Sequence, residues 1–323
     1  MNENMELNPK DSQILSLLDQ NSRTSISKLA KKLKLSKDGV NYRLKKLQKE
    51  NIITRYFAEV DVSKLGLILC KVTLQFQNVD KEKEDEIFNF LKNQQKIGWV
   101  VFCSGRWDCV FVAYVRDNFE IQELINELVE KHGKYILDKE FLLMSEYYIV
   151  NRKWLTNTNK ITISKIGGKV NKIVDDLDIK LIKILTQNCR KPIIEIAKEV
   201  KQSSSLIINR IKNLEKRKVI QNYYLGLNLE KINMEFCKSF IYLQNYTKTE
   251  YEKLIKYCLN HRNVTALTNL VGPWEMELEM EVKNFDEFYK IMNEIKNKFK
   301  HIIRSYEAIT ITREYGRDYS TII

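Results

Sequence analysis

Apolar residues recur at helical spacing three times near the start of the chain and then switch to alternation. Ile14, Leu15, Leu17 and Leu18 make one face of a helix predicted over residues 7–20. Asn21 to Thr24 interrupts it. Ser25 can cap a second helix whose face is Ile26, Leu29, Ala30 and Leu33. Ser36 can cap a third, with Val40, Leu44 and Leu47 inward and Lys37, Asp38, Asn41, Tyr42, Lys45 and Lys46 between them. Two extended runs follow, Ile52 to Ala58 and then Val60 with Asp61, read as a strand pair. Three short helices and a strand pair predict a winged helix-turn-helix. Beyond it, Cys70, Val72, Leu74 and Phe76 alternate with Lys71, Thr73 and Gln75, a strand with one buried face. Helical and alternating runs then succeed one another to Val150 in the order βαββαβ, a ferredoxin-like unit.

The same pattern is written a second time. Shifted by 167 positions, Asp11 to Lys71 falls on Asp178 to Lys238 without a gap, with 19 of 61 pairs identical. Gly105-Arg106-Trp107-Asp108 falls on Gly272-Pro273-Trp274-Glu275. Two copies of this length are self-sufficient modules rather than solenoid units, so the reading is a tandem duplication. The expected fold class is α+β, in five parts. Residues 1–60 and 175–228 are winged helix-turn-helix units, 61–150 and 229–323 are βαββαβ units, and 151–174 is a linker. The linker alternates at Ile161, Ile163 and Ile166, which fits either an edge strand or an extended tether.

Charge sharpens this division. The chain of 323 residues carries a net +12. Residues 1–60 hold 12 basic and 7 acidic side chains, and residues 176–228 hold 11 and 5. Residues 61–150 hold 11 and 15, and residues 229–323 hold 14 of each. The excess therefore sits on the helix-turn-helix units and the linker, as expected for surfaces that face a polyanion. No apolar stretch approaches the roughly 20 residues of a membrane span. The N-terminus has no signal-like apolar run, so a cytoplasmic protein is expected. Six scattered cysteines without a Cys-x-x-Cys pair argue against a zinc ribbon or a disulfide framework. His132, His261 and His301 lie far apart, and no metal, cofactor or catalytic set is expected.

The chemistry of the third helix fits duplex DNA. Its polar face can reach base edges in a major groove, and the Ser36 end presents backbone N–H groups to a phosphate. Phosphate contacts are assigned to Lys31, Lys34, Arg43, Lys45, Arg210 and Lys212. Base contacts are assigned to Lys37, Asn41, Tyr42, Ser204 and Asn209, and Ser36 and its counterpart Ser203 are counted among the DNA-binding residues. The readers differ, since Ser204, Ser205, Ile208 and Asn209 stand where the first has Lys37, Asp38, Asn41 and Tyr42. Unequal half-sites are therefore expected, with the first reader supplying more of the specificity.

The chain resembles the Lrp/AsnC (feast/famine) family of prokaryotic transcription regulators, present twice. The resemblance is carried by Leu7-xxx-Asp11-xx-Ile14-Leu15, Asn21-x-Arg23, Leu29-Ala30, Ser36-xxx-Val40-xx-Arg43-xx-Lys46-Leu47, Ile52-Ile53-xx-Tyr56 and Gly105-x-Trp107-Asp108. It implies double-stranded DNA as partner, self-association through the sheet domains, and a small effector such as an amino acid. The effector residues it implies are Gly105, Trp107, Asp108, Gly272, Trp274 and Glu275. A carboxylate at that turn can also simply cap backbone N–H groups. Departures are Asn51 and Lys218 at the usual glycine before the wing, and Asn233 opposite Gly66. Two alternatives stand beside the regulator: an enzyme resembling siroheme decarboxylases of this fold, and an adaptor that no longer binds DNA. The absence of a duplicated histidine signature disfavours the first, so the expectation is that the chain is not an enzyme.

Overall fold

The computed structural model describes residues 7–156, 160–316 and 319. The first three helices are α1 (Pro9–Gln20), α2 (Ile26–Leu33) and α3 (Lys37–Lys49). Ser25 and Ser36 accept from the backbone N–H of Lys28 and Gly39, satisfying groups a helix start otherwise leaves orphaned. Asn51, after α3, sits at φ 55°, and Lys218 at the matching place sits at φ 57°. Side chains thus replace glycine in the left-handed region at both positions.

The expected strand pair after α3 is a single strand, β1 (Ile53–Val60). No turn residue divides it, and its partner comes from elsewhere. It pairs antiparallel with β7 (Ile220–Leu227), with Phe57 opposite Tyr224 and Tyr56 opposite Leu225. The second three-helix unit, α6 (Asp176–Gln187), α7 (Ile193–Glu199) and α8 (Ser204–Lys216), precedes β7. Between the two units run β2 (Ile68–Phe76), α4 (Lys81–Lys92), β3 (Ile97–Gly105), β4 (Cys109–Val115), α5 (Asn118–His132) and β5 (Ile136–Val150). Then comes β6 (Ile163–Gly167), so the linker forms an edge strand on β5.

The chain ends with β8 (Glu235–Leu243), α9 (Lys248–Asn260), β9 (Val264–Val271), β10 (Met276–Val282), α10 (Phe285–Lys298) and β11 (Ile303–Tyr315). The two βαββαβ sheets join at both edges. Strand β3 pairs with β11 and β5 pairs with β9, so eight strands close into a ring in the order β2-β4-β3-β11-β8-β10-β9-β5 and back to β2. Edges that the resemblance assigns to pairing between subunits are thus used within one chain, which leaves them no exposed ladder groups. Helices α4 and α5 cover one side of the ring and α9 and α10 the other, each over its own apolar cluster.

Candidate nucleic-acid interface

Each third helix buries one stripe and exposes the other. Val40, Leu44 and Leu47 are buried in α3, and Ile207, Ile211 and Leu214 in α8. Lys31, Lys34, Lys37, Lys45 and Ser36 are exposed, Tyr42 is 70% exposed, and Asn41 is half-buried. In the second unit Ser203, Asn209 and Lys212 are exposed and Ser204 is half-buried. Tyr42 thus projects from the outward face of α3. Lys46, Lys49 and Lys216 share these faces and extend the basic surface beyond the residues assigned from sequence. The helical stripe that places Lys45 outward places Lys49 outward too.

Two assigned residues have another occupation. Arg43 Nη1 lies 2.8 Å from Asp11 Oδ1, tying α3 to α1. Arg210 lies 2.6 Å from Asp175 and 3.4 Å from Asp178, tying α8 to the start of α6. Asp175 is held below the usual carboxylate range, first by backbone N–H donation and then by Arg210. Asp178, which lies beside Arg210, closes a capping box at that helix start. These arginines brace the readers, and the exposed lysines are the cations left facing outward.

The motif residues Arg23 and Tyr56 gain a role that local pattern did not reveal. Arg23 lies over the ring of Tyr223, 5.1 Å from its centre, and Arg190 lies over Tyr56 at 5.3 Å. The two pairs are related to each other by the 167-residue shift, so the clasp is reciprocal. Arg190 also donates to the carbonyl of Thr24 at 3.1 Å, and Ser22 N–H donates to the Tyr223 carbonyl at 2.9 Å. The two readers are held as one body through β1, β7 and these contacts.

The turn residues implied as an effector site are spent on structure. Asp108 accepts from Phe76 N–H and Glu275 from Leu243 N–H, both at 2.7 Å. Trp107 and Trp274 are buried, with ring centres 6.3 Å apart across the ring of strands. Gly105 has φ 139° and its Cα faces the Ala308 carbonyl so closely that a Cβ would stand 2.4 Å from it. A Cβ on Gly272 would stand 2.9 Å from Leu142 Cγ. The carboxylates take the backbone-capping role, and the glycines allow β3 and β9 to approach their cross-half partners.

The ring encloses a charge cluster. Lys71, fully buried, pairs with Glu277. Lys238 reaches Glu277 at 3.2 Å and Glu279 at 3.0 Å, while Trp274 Nε1 donates to Glu277 at 3.0 Å and Tyr147 OH to Glu279 at 3.2 Å. Lys71 is on β2 and Glu277 on β10, so the cluster spans the halves. Desolvation pushes Lys71 down to about 8, while the two glutamates hold Lys238 above its ordinary value. All six cysteines are free, including Cys103 and Cys109 beside the turn. Among the described residues no group of three or more His, Cys, Asp or Glu is gathered for a metal, and no helix is long and apolar enough to cross a membrane.

This arrangement defines a winged helix-turn-helix protein of mixed α+β build with a paired-sheet barrel. Family comparison agrees. Residues 7–54 match a winged helix-turn-helix DNA-binding model, and residues 174–215 match an AsnC-type helix-turn-helix domain. The chain is 30% identical over 143 residues to the helix-turn-helix transcriptional regulator LrpC of Bacillus subtilis, covering 44% of this chain and 94% of that one. It is 29% identical over 125 residues to LrpA of Pyrococcus horikoshii, covering 39% of this chain and 87% of that regulator. The chain belongs to the Lrp/AsnC family of helix-turn-helix regulators.

One expectation is corrected. The crystal structure of the siroheme decarboxylase NirDL matches 95% of this chain and 92% of its own at TM-score 0.62 and 14% identity. The same enzyme with an iron-uroporphyrin III analogue matches equally, at 13% identity. The end-to-end architecture is therefore one that carries catalysis elsewhere, and the reading of this chain as not an enzyme does not stand. Scattered histidines were a poor basis for it, because they speak only to chemistry that uses histidine. At this identity the likeness shows shared fold.

Proposed function

We propose that this protein is a sequence-specific DNA-binding transcription regulator that arose by tandem duplication, one chain supplying both readers of an operator. The observation that carries the reading is the reciprocal clasp of the two helix-turn-helix units, Arg23 on Tyr223 and Arg190 on Tyr56, joined to the basic outward faces of α3 and α8. A clasped pair presents two recognition helices in fixed relation, the condition for reading two half-sites. Because Lys37, Asn41 and Tyr42 face Ser204, Ile208 and Asn209 across the pseudo-two-fold, the half-sites are unequal. Lys37, read from the sequence as a base contact, is reassigned to the DNA backbone, so the phosphate contacts are those of Lys31, Lys34, Lys37, Lys45 and Lys212, and the base contacts those of Asn41, Tyr42, Ser204 and Asn209.

Selection of bound fragments from random duplex DNA tests this. The expected outcome is an asymmetric site, bound more tightly than either palindrome built from its halves. Tightest binding to a perfect palindrome would place the two readers on different chains. Absence of any enriched sequence would remove the regulator reading. A second reading, chemistry on a tetrapyrrole, is favoured by the end-to-end likeness to the decarboxylase. It predicts a tetrapyrrole absorbance band that shifts on mixing iron uroporphyrin with the purified chain.

A further inference from the structure

The end of the barrel that faces the winged helices contains two cavities at positions related by the 167-residue shift, and they are no longer alike. The first is lined by Leu69, Trp99, Tyr114, Met144 and Tyr147. The second is lined by their counterparts Phe236, Ala266, Glu281, Ile311 and Glu314. The first is filled. Tyr319 is buried against Tyr114 with ring centres 5.7 Å apart and donates to Glu59, and Ile166 of the linker strand covers it. About 30 Å³ remains there, room for one water. At the second, alanine stands for Trp99 and Gly226 stands for Glu59. The linker strand lies only at the first, because a linker joins the halves once. The second cavity is an open cleft of about 800 Å³, within the size range of small-molecule sites.

We infer that this cleft, between β1 and β7 on one side and the barrel mouth on the other, binds one small cationic amphipathic molecule per chain. Its floor is apolar, with Phe236, Met234, Leu229 and Ile311 half-buried against the core and still facing the cleft. Its charge is acidic, since six carboxylates and three guanidinium groups line it. Each guanidinium is committed. Arg152 lies on Asp19 and Glu281, Arg313 on Asp85, and Arg55 stacks over Phe57. Glu230 and Glu235 are exposed at the mouth and make no ion pair among the described residues. An anionic ligand would meet surplus carboxylate and no uncommitted cation, while a cation with an aromatic or aliphatic body would find both partners. The inference does not depend on DNA recognition.

The probe is thioflavin T, a monovalent aromatic cation, titrated into DNA-free full-length protein and followed by its fluorescence. The anions 8-anilinonaphthalene-1-sulfonate and uroporphyrin III serve as counterparts. Saturable binding at one dye per chain is expected, at least tenfold weaker in Ala266→Trp, which rebuilds the filled cavity. The surface pair Glu230→Gln with Glu235→Gln, which leaves the core untouched, should weaken it three- to tenfold. DNA affinity of the same variants is measured separately, so loss of one activity does not mimic loss of the other. No saturable dye binding, two dyes per chain, tighter binding of either anion, or full affinity in the glutamine pair would each overturn the proposal.

Discussion

Replacing Lys31, Lys34, Lys37 and Lys45 together by glutamine probes the reading surface without touching the core, since all four are exposed. Each lysine that meets a phosphate releases counterions, and log affinity against log salt steepens by about 0.9 per contact. Four lost contacts reduce the slope by about 3.6. Over a fourfold rise in salt, wild type then loses roughly 150-fold more affinity than the variant. Fluorescence anisotropy on a labelled duplex at several salt concentrations measures this directly. Arg43→Gln is the control, because Arg43 is occupied by Asp11 at 2.8 Å. Its main effect falls on stability, by about 0.5–1 kcal/mol, with a slope change smaller than one contact. An unchanged slope in the lysine variant, or a larger change in the arginine one, would refute the assignment of cations to this face.

Glu277→Gln leaves Lys71 and Lys238 with one carboxylate between them inside the barrel, and breaking such a buried pair costs about 3–5 kcal/mol. Urea unfolding should show it, and restoring packing with Lys71→Met in the same chain should recover most of the loss; an unshifted midpoint would mean the charges are solvated. Stability should fall as pH rises above about 8.5. Burial raises the thiols of Cys70 and Cys237 to about 11 and Cys103 to about 12, and also raises Cys109, Cys189 and Cys258. Their folded values exceed the unfolded one, so their contribution is full below about 8.5 and is lost as pH climbs. Lys71 and Lys153, pushed down to about 8, oppose this, because between about 8 and 10.4 the unfolded chain holds more protons at those sites. The six thiols outweigh the two lysines, and Lys153→Met should steepen the decline; urea midpoints that rise from pH 8.5 to 9.5 would contradict the balance.

Local pattern carried the three-helix units far. The stripe Val40, Leu44, Leu47 and the caps Ser25 and Ser36 are where the sequence reading put them, because caps and stripes are set within a few residues. The barrel was not legible. Lys71 and Thr73 alternate with buried Cys70 and Val72, a pattern that reads as a solvated face, and yet both are fully buried. Their face is the inside of the ring, and the carboxylate that neutralises Lys71 lies 206 residues further on. Glu277, Glu279 and Glu281 mislead in the same way within β10. Alternation reports that the two faces of a strand differ; it is silent on which chemistry waits opposite. Asp108 and Arg43 show the converse for the site, since residue type suggested a ligand contact while geometry gives Asp108 the Phe76 N–H and Arg43 the carboxylate of Asp11 on α1.

The pairing of β1 with β7 also sets a schedule. Ala58 waits for Tyr223, and β3 for β11, across more than half the length of the chain. During synthesis the first half emerges with three strands whose edges have no partner, β1, β3 and the end of β5, until the second half has been made. The first winged helix can form early, yet its strand stays unsealed, and closure of the barrel waits for β11. A chain stopped at the linker therefore has to find its missing edges in a second copy of itself, or leave them open to aggregation. The length of chain made thus chooses between a barrel closed within one molecule and one closed between two.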